Sequence, residues 1–194
     1  MSAREANVLM AGVGGQGTLL ASEILAQAAL EEGLLAKQSE VHGVAQRGGS
    51  VVSHVRFGER VHSPLIRCGE ADLLCAAEQL EGLRYAHYLR SGGAVVMDDR
   101  IIEPIRMPDE PAKSYPAGVS DFLRGKGYEV TVVPALRIAM QLGDKRCANV
   151  VLLGAVSNAL PLARTSWARA MAHRLPASVR DLNEKAFEAG RACR

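Results

Sequence analysis

The sequence predicts an α/β domain of three layers, with a largely parallel or mixed sheet and a helical C-terminal third. Three observations predict it. Short apolar runs such as "NVLMAG", "ADLLCAAE" and "GAVVMDD" read as buried strands of a parallel sheet. Stretches with apolar residues at helical spacing fall between such runs, the alternation expected of crossover helices on a sheet. Beyond Pro134 the strand-like runs stop and only helical patterns follow.

Taken in order, "NVLMAG" is a first strand and "TLLASEILAQAALEEG" a helix. In that helix Leu19, Leu20, Ile24, Leu25 and Ala28 form the apolar stripe, and Gly33 is placed to close the C-terminus. "LAKQSEV" is a second strand. From Val51 the pattern has period two, with Val51, Ser53, Val55 and Phe57 on one face and Val52, His54 and Arg56 on the other. "GER" is then expected to turn the chain into "VHSPLI", a hairpin over 51–66. "QLEGLRYAHYL" reads as a helix between two core strands. "PIRMPDEPAKSYPAG" holds four prolines and reads as an irregular surface excursion. "SDFLRGKG" is a short helix capped by Ser120, and "YEVTVVP" a strand. Four helices close the chain: "ALRIAMQLG", "CANVVLLGAVSNAL", "SWARAMAHRL" and "SVRDLNEKAFEAG". The last starts at Ser178 and carries Asp181 three positions on, in the manner of a capping box. No repeat or low-complexity linker interrupts residues 1–194, so a single domain is expected.

Composition excludes several classes. The formal net charge is +2 and no block of basic residues appears, so neither nucleic acid nor a membrane surface is expected as partner. The leader is broken by glycine and contains an acid, unlike a signal peptide. The longest apolar run is about half the ~20 residues that a membrane helix needs. Cys68, Cys75, Cys147 and Cys193 form no CxxC pair and have no histidine at metal spacing. They read as reduced thiols of a cytoplasmic protein, and no metal site is expected in the chain.

"GVGGQG", residues 12–17, satisfies GxGxxG between a strand and a helix. Gly12 allows a tight turn, Gly14 and Gly15 let a ligand approach the main chain, and Gly17 lets the helix pack close. The helix N-terminus then offers partial positive charge to an anion such as a phosphate, and Gln16 and Thr18 can add side-chain hydrogen bonds. The fold is thus Rossmann-like, but no GK[ST] follows, which excludes a Walker loop. A dinucleotide reading would give Glu40 the ribose. The segment that follows Glu40, "VHGVAQRGG", is not a simple connection and weakens that reading.

That segment carries varied polar groups with no helical or strand period. Gly43, Gly48 and Gly49 leave room at the main chain. Arg47 is a planar donor suited to a carboxylate or phosphate, and His42 and Gln46 add hydrogen-bonding groups. Glu40 can orient His42 or Arg47 or accept directly. The cluster is read as part of a site or a subunit interface. His54, His62, His87 and His173 lack visible partners and are read as structural. Adjacent Asp98 and Asp99 end a strand and point to opposite faces, which argues against a catalytic pair. "SPLI" at 63–66 is placed to border the site. No catalytic residue is assigned.

Three stretches together, "AGVGGQGTLLASEILAQAA", "SEVHGVAQRGGSVVSHVRFG" and "SPLIRCGEADLL", resemble the gamma component of 2-oxoacid:ferredoxin oxidoreductases. Within that family the chain looks like the beta-subunit branch of the indolepyruvate enzymes. The resemblance runs from about Asn7 to Leu83 and continues more loosely through "GGAVVMDD" and "NEKAFEAG". Val44 stands where the commoner pattern has methionine, and the 104–116 excursion is less typical. The resemblance implies a subunit of a complex that oxidatively decarboxylates a 2-oxoacid to acyl-CoA, carbon dioxide and reduced ferredoxin. Thiamine diphosphate, Mg2+ and iron–sulfur clusters would lie on a large partner subunit, with ferredoxin as electron acceptor and no cofactor bound by this chain alone. It also implies a role in closing the active site and holding coenzyme A, carried onto Gly12, Gly14, Gly15, Gln16 and Gly17. The same role falls on Glu40, His42, Gln46, Arg47, Gly48, Gly49 and Ser50. The isolated chain is expected to be inactive and could form a homodimer. Two readings compete with this one: a stand-alone nicotinamide or flavin enzyme, and a CoA- or nucleotide-binding regulator.

Overall fold

Alternate residues of the first strand face two separate apolar layers, and this organises the molecule. The computed structural model describes residues 4–42, 48–103 and 115–193. Strand β1 (Ala6–Val13) directs Val8 and Met10 to one face and Leu9 and Ala11 to the other, all buried. It leads through the glycine turn into α1 (Thr18–Glu31). That helix ends as expected at Gly33: the Gly33 N–H donates to Leu30 O at 2.9 Å and the Leu34 N–H to Ala29 O at 3.1 Å. Those two bonds satisfy carbonyls that the last turn leaves free.

The strands that follow are β2 (Leu35–His42), β3 (Ser50–Gly58), β4 (Ala71–Ala76), β5 (Leu89–Asp98) and β6 (Glu129–Val133). They form one mixed six-stranded sheet in the order β2-β3-β1-β4-β5-β6. Strands β1, β4, β5 and β6 run parallel, and β3 runs antiparallel between β1 and β2. The expected hairpin over 51–66 does not form. Instead β3 pairs along its length with β2 on one side and β1 on the other. The reason is burial: both faces of β3 are covered, and its two edges are filled by strands that arrive earlier in the chain. Val61 and Ile66 enter the core as side chains of a loop, and Pro64 lacks the N–H a ladder needs.

The helices are α2 (Gln79–Tyr85), α3 (Val119–Gly125), α4 (Ala135–Gln141), α5 (Ala148–Ser157), α6 (Arg164–Arg174) and α7 (Arg180–Arg191). One layer holds α1 and α4 to α7 against Val8, Met10, Val55, Phe57 and Val96, and the other holds α2 and α3 against Leu9, Leu74, Val95 and Met97. Every residue of α5 is buried, so this helix is the axis of the thicker layer. It approaches α7 closely. A β-carbon on Gly154 would lie 2.0 Å from Phe187 O, and one on Gly190 would lie 1.8 Å from Val151 O.

Two expected helix caps are absent. Helix α3 starts at Val119 behind Gly118, with no side-chain cap, so Ser120 lies inside it. A short 3-10 turn over Ala177–Val179 takes up Ser178, and α7 begins at Arg180. At α7 a tighter turn leads into the helix, and at α3 a left-handed glycine does, so neither start uses the hydroxyl.

Candidate functional site

The glycine turn and the 39–50 segment, far apart in sequence, are sewn together by main chain. Pairing of β1 with β3 ends at Val13 and Ser50. Beyond it the Gly14 N–H donates to Gly49 O at 2.8 Å, and the Gly48 N–H donates to Gly14 O at 3.4 Å. The antiparallel ladder thus continues through two loops.

Gln16 holds the turn in shape. Its Oε1 accepts from the Val13 N–H at 2.7 Å and its Nε2 donates to Ala77 O at 2.7 Å, tying the end of β1 to the end of β4. Gly12 makes room for this amide: a β-carbon there would lie 2.9 Å from Gln16 Oε1 and 2.8 Å from Thr18 Oγ1. Gly17 has φ 76, and its carbonyl accepts from Asn149 Nδ2 of α5 at 3.1 Å. A β-carbon on Gly17 would lie 2.6 Å from that same nitrogen, so the turn and α5 fit only with glycine between them. The sequence did not single out Asn149, because its partner is 132 positions away.

Next to the turn lies a cavity of about 430 Å³, lined by Val13, Gly14, Gly15, Gly17, Thr18, Leu19, Glu40 and Val51. The N-terminus of α1 opens there with no side-chain cap and no acid in its first turn. Thr18 is buried, and its Oγ1 has no hydrogen-bond partner among the described residues. A buried hydroxyl without a partner is uncommon in a folded protein. The uncapped N–H groups and the positive helix end give this cavity a wall of the chemistry that suits an anion, and the unpartnered Thr18 hydroxyl lies buried behind it.

Glu40 stands exposed on the opposite wall. Its register is Glu40 against Ser53, and Ser53 against Met10. The intervening strand sets it about 10 Å from β1, at ~4.8 Å per strand. The usual dinucleotide site has its ribose-binding acid on the strand beside β1, and here β3 occupies that place.

Ser50 turns to the other side of the sheet. Its Oγ donates to Glu81 Oε2 and lies 3.1 Å from Tyr85 Oη. Glu81 is itself buried and accepts from Arg84 Nη1 at 2.7 Å. Three residues earlier, the buried Glu78 carboxylate caps α2 through the Glu81 N–H at 2.9 Å. It also accepts from Tyr115 Oη and, at 3.0 Å, from the Ile102 N–H. The carboxyl edge of the sheet is therefore built on two buried acids that periodicity gave no reason to select.

Of the other expected site residues, Gly48 and Gly49 lie in the seam. His42 ends β2, while its side chain, Gly43, Gln46 and Arg47 lie outside the described residues. The 63–66 turn does not border the cavity. The Ser63 and Leu65 carbonyls accept from Arg56 Nη1, each at 3.3 Å, beside Asn7 at the far end of β1. His54 is structural as expected: burial lowers its pKa, and its Nδ1 accepts from the Ile66 N–H at 3.1 Å.

Asp98 and Asp99 diverge, as adjacent strand residues should. Asp98 is fully buried, with Oδ1 accepting from the Ala135 N–H at 3.1 Å and Oδ2 lying 3.0 Å from Arg100 Nη2. Burial pushes its pKa up to about 6 despite the guanidinium. Among the described residues no group of three or more His, Cys, Asp or Glu is arranged to hold a metal ion, and no helix is long and apolar enough to cross a membrane.

Comparison with known proteins places this geometry in a family. The model of the family described as pyruvate ferredoxin/flavodoxin oxidoreductase matches residues 7–193. The chain is 37% identical to indolepyruvate oxidoreductase subunit IorB of Thermococcus kodakarensis, covering 96% of this chain and 95% of that protein. It is 39% identical to the IorB subunit of Archaeoglobus fulgidus, covering 95% and 92%. Among solved structures it is similar to the gamma subunit of a keto/oxoacid ferredoxin oxidoreductase from Geobacter sulfurreducens, with a TM-score of 0.71, 26% identity and 95% of each chain covered. The chain belongs to the pyruvate ferredoxin/flavodoxin oxidoreductase family and is of its gamma-subunit type.

Proposed function

We propose that this chain is the subunit of a 2-oxoacid:ferredoxin oxidoreductase that carries no redox centre and acts on indolepyruvate or a similar aryl pyruvate. In the reaction a 2-oxoacid and CoA give acyl-CoA and carbon dioxide, and two electrons pass to ferredoxin. The large partner subunit would supply thiamine diphosphate, Mg2+ and the iron–sulfur clusters, and the assembly would work in the cytoplasm. The substrate class rests on the IorB relatives. The placement of the clusters is supported by thiol chemistry here: burial pushes Cys75 up to about 12 and raises Cys147, the opposite of what an iron ligand needs.

The observation that carries the reading is the seam between Gly14 and Gly48–Gly49, which makes one wall from the two motifs. The residues fit a CoA phosphate. The first N–H groups of α1 line the cavity as donors, the Thr18 hydroxyl lies buried behind them against Gly12, and Glu40 is an acceptor for an amide or hydroxyl across it. Gln16, with its amide spent on main chain, positions the turn. Arg47, from its type and place in sequence, is assigned to the anion as well. The whole chain acts as one gamma-type unit, and catalysis on the 2-oxoacid itself stays with the partner.

Co-expression with the large thiamine-type subunit tests the proposal. The two chains should copurify, and the pair should reduce a viologen only when both 2-oxoacid and CoA are present, with neither chain active alone. A chain that ignores the partner, or a large subunit fully active without it, would overturn the reading in favour of a stand-alone CoA-binding protein.

A further inference from the structure

The sheet ends at β2, an edge that lacks the features that usually keep such edges from pairing. Its eight residues run against β3 with no register shift and include no proline. Its one lysine, Lys37, is turned back to donate to His62 O at 3.0 Å. Gln38 reaches Ser22 of α1 at 2.6 Å, so Leu35, Lys37, Ser39 and Val41 occupy the opposite face. Apolar side chains gather on this flank. Leu35 and Val41 are 55% and 48% exposed, and Leu19 and Leu30 of α1 are 42% and 48% exposed. Leu19 and Leu30 lie about three turns apart, on one side of their helix. These four are half of the large apolar side chains exposed among the described residues.

We propose that β2 is a dimerisation strand: two copies of this chain join their β2 edges antiparallel about a two-fold axis at Gln38, making one continuous sheet. This inference stands apart from the functional reading. An axis normal to the sheet keeps each face on its own side, so residues that meet must point the same way. That leaves few registers. An axis at Lys37 sets lysine against lysine, and one at Glu40 sets glutamate against glutamate, both unfavourable for directly opposed residues. An axis at Ser39 leaves Leu35 facing no residue of the other β2. The axis at Gln38 sets Leu35 against Val41 twice, Lys37 against Ser39 and Ala36 against Glu40, with the two Gln38 amides facing each other. It covers both exposed apolar residues of the strand and opposes no like charges.

The isolated chain is to be examined by light scattering and by cysteine cross-linking in a Cys68→Ser background, which removes the exposed native thiol. A dimer mass is expected. Under copper phenanthroline the Leu35→Cys/Val41→Cys double variant should become a covalent dimer. Neither single variant should, because in this register identical positions lie about 20 Å apart, at ~3.3 Å per residue. Leu35→Lys/Val41→Lys, with an unchanged circular dichroism spectrum, should be monomeric. A wild-type monomer at 100 µM, a dimer whose double variant fails to cross-link, or equal cross-linking of the single variants would each overturn the proposal. A β2 edge protected only when the large subunit is bound would overturn it too, by giving the edge to that partner.

Discussion

Thr18 holds a hydroxyl with no hydrogen-bond partner among the described residues. If that hydroxyl serves a ligand, Thr18→Val should leave the thermal midpoint unchanged or slightly raised, because no hydrogen bond is lost on the protein side. In the assembled enzyme the KM for CoA should rise by roughly 10- to 100-fold, the equivalent of a charge-assisted hydrogen bond of about 1.5–3 kcal/mol. An unchanged KM with a lowered midpoint would make Thr18 a packing residue. Asp98 makes a second prediction at this scale. Its folded pKa of about 6 lies above the ordinary carboxylate value. The folded state therefore binds the proton more tightly than the unfolded chain, and the resulting stability is full below about pH 4 and lost as pH rises through 6. Asp98→Asn keeps an acceptor for the Ala135 N–H and removes the titration. Relative to wild type, its unfolding free energy should improve steadily between pH 4 and pH 7. Denaturant titrations that run parallel over that interval would contradict this. The pairs that matter here were partly legible: the glycine spacing and the polar run announced themselves, whereas the contacts of Asn149 with Gly17, Glu78 with Tyr115 and Glu81 with Ser50 were hidden because the fold brings them together.

At the scale of elements, the glycine turn, α1 with its Gly33 end and the first strand follow from local pattern and appear as expected. The caps at Ser120 and Ser178 were misread because a hydroxyl near a helix start is only one way to meet the first N–H groups. The close approach of α5 to α7 was invisible for another reason: Gly154 and Gly190 look like ordinary helix-weakening glycines until the two helices touch. Gly154→Ala and Gly190→Ala should each lower stability by at least ~1–3 kcal/mol, against a small gain for Gly→Ala in an exposed helix. Calorimetric melting of the two variants checks this, and a raised midpoint in either would show that the helices part without loss. Gln16→Leu should act on the site rather than the core. It removes the two side-chain bonds by which Gln16 holds Val13 and Ala77 beyond the β1–β4 ladder, so CoA-dependent turnover of the complex should fall more steeply than the thermal midpoint. Equal losses in both would make the amide a general stabiliser.

Across the whole molecule, the α/β class and the helical final third were readable, since both depend on hydrophobic period. Strand order was not. The antiparallel β3 pairs with its neighbour in sequence, β2, and also with β1 dozens of residues away, and nothing in "SVVSHVRFG" says that it will enter between them. That insertion moves Glu40 away from the place a dinucleotide-binding acid would occupy. It also draws the two glycine-bearing segments into one wall. Most of the distinctive chemistry of this chain gathers at the carboxyl end of the sheet, where the large subunit would have to meet it. Hydrogen exchange of the assembled complex, measured with and without CoA, tests that claim most directly. Amides of residues 14–19 and 48–51 should both slow on adding CoA, while those around Asp98–Arg100 stay unchanged. If CoA is turned over and neither segment slows, the wall built from these two loops is not where the coenzyme binds.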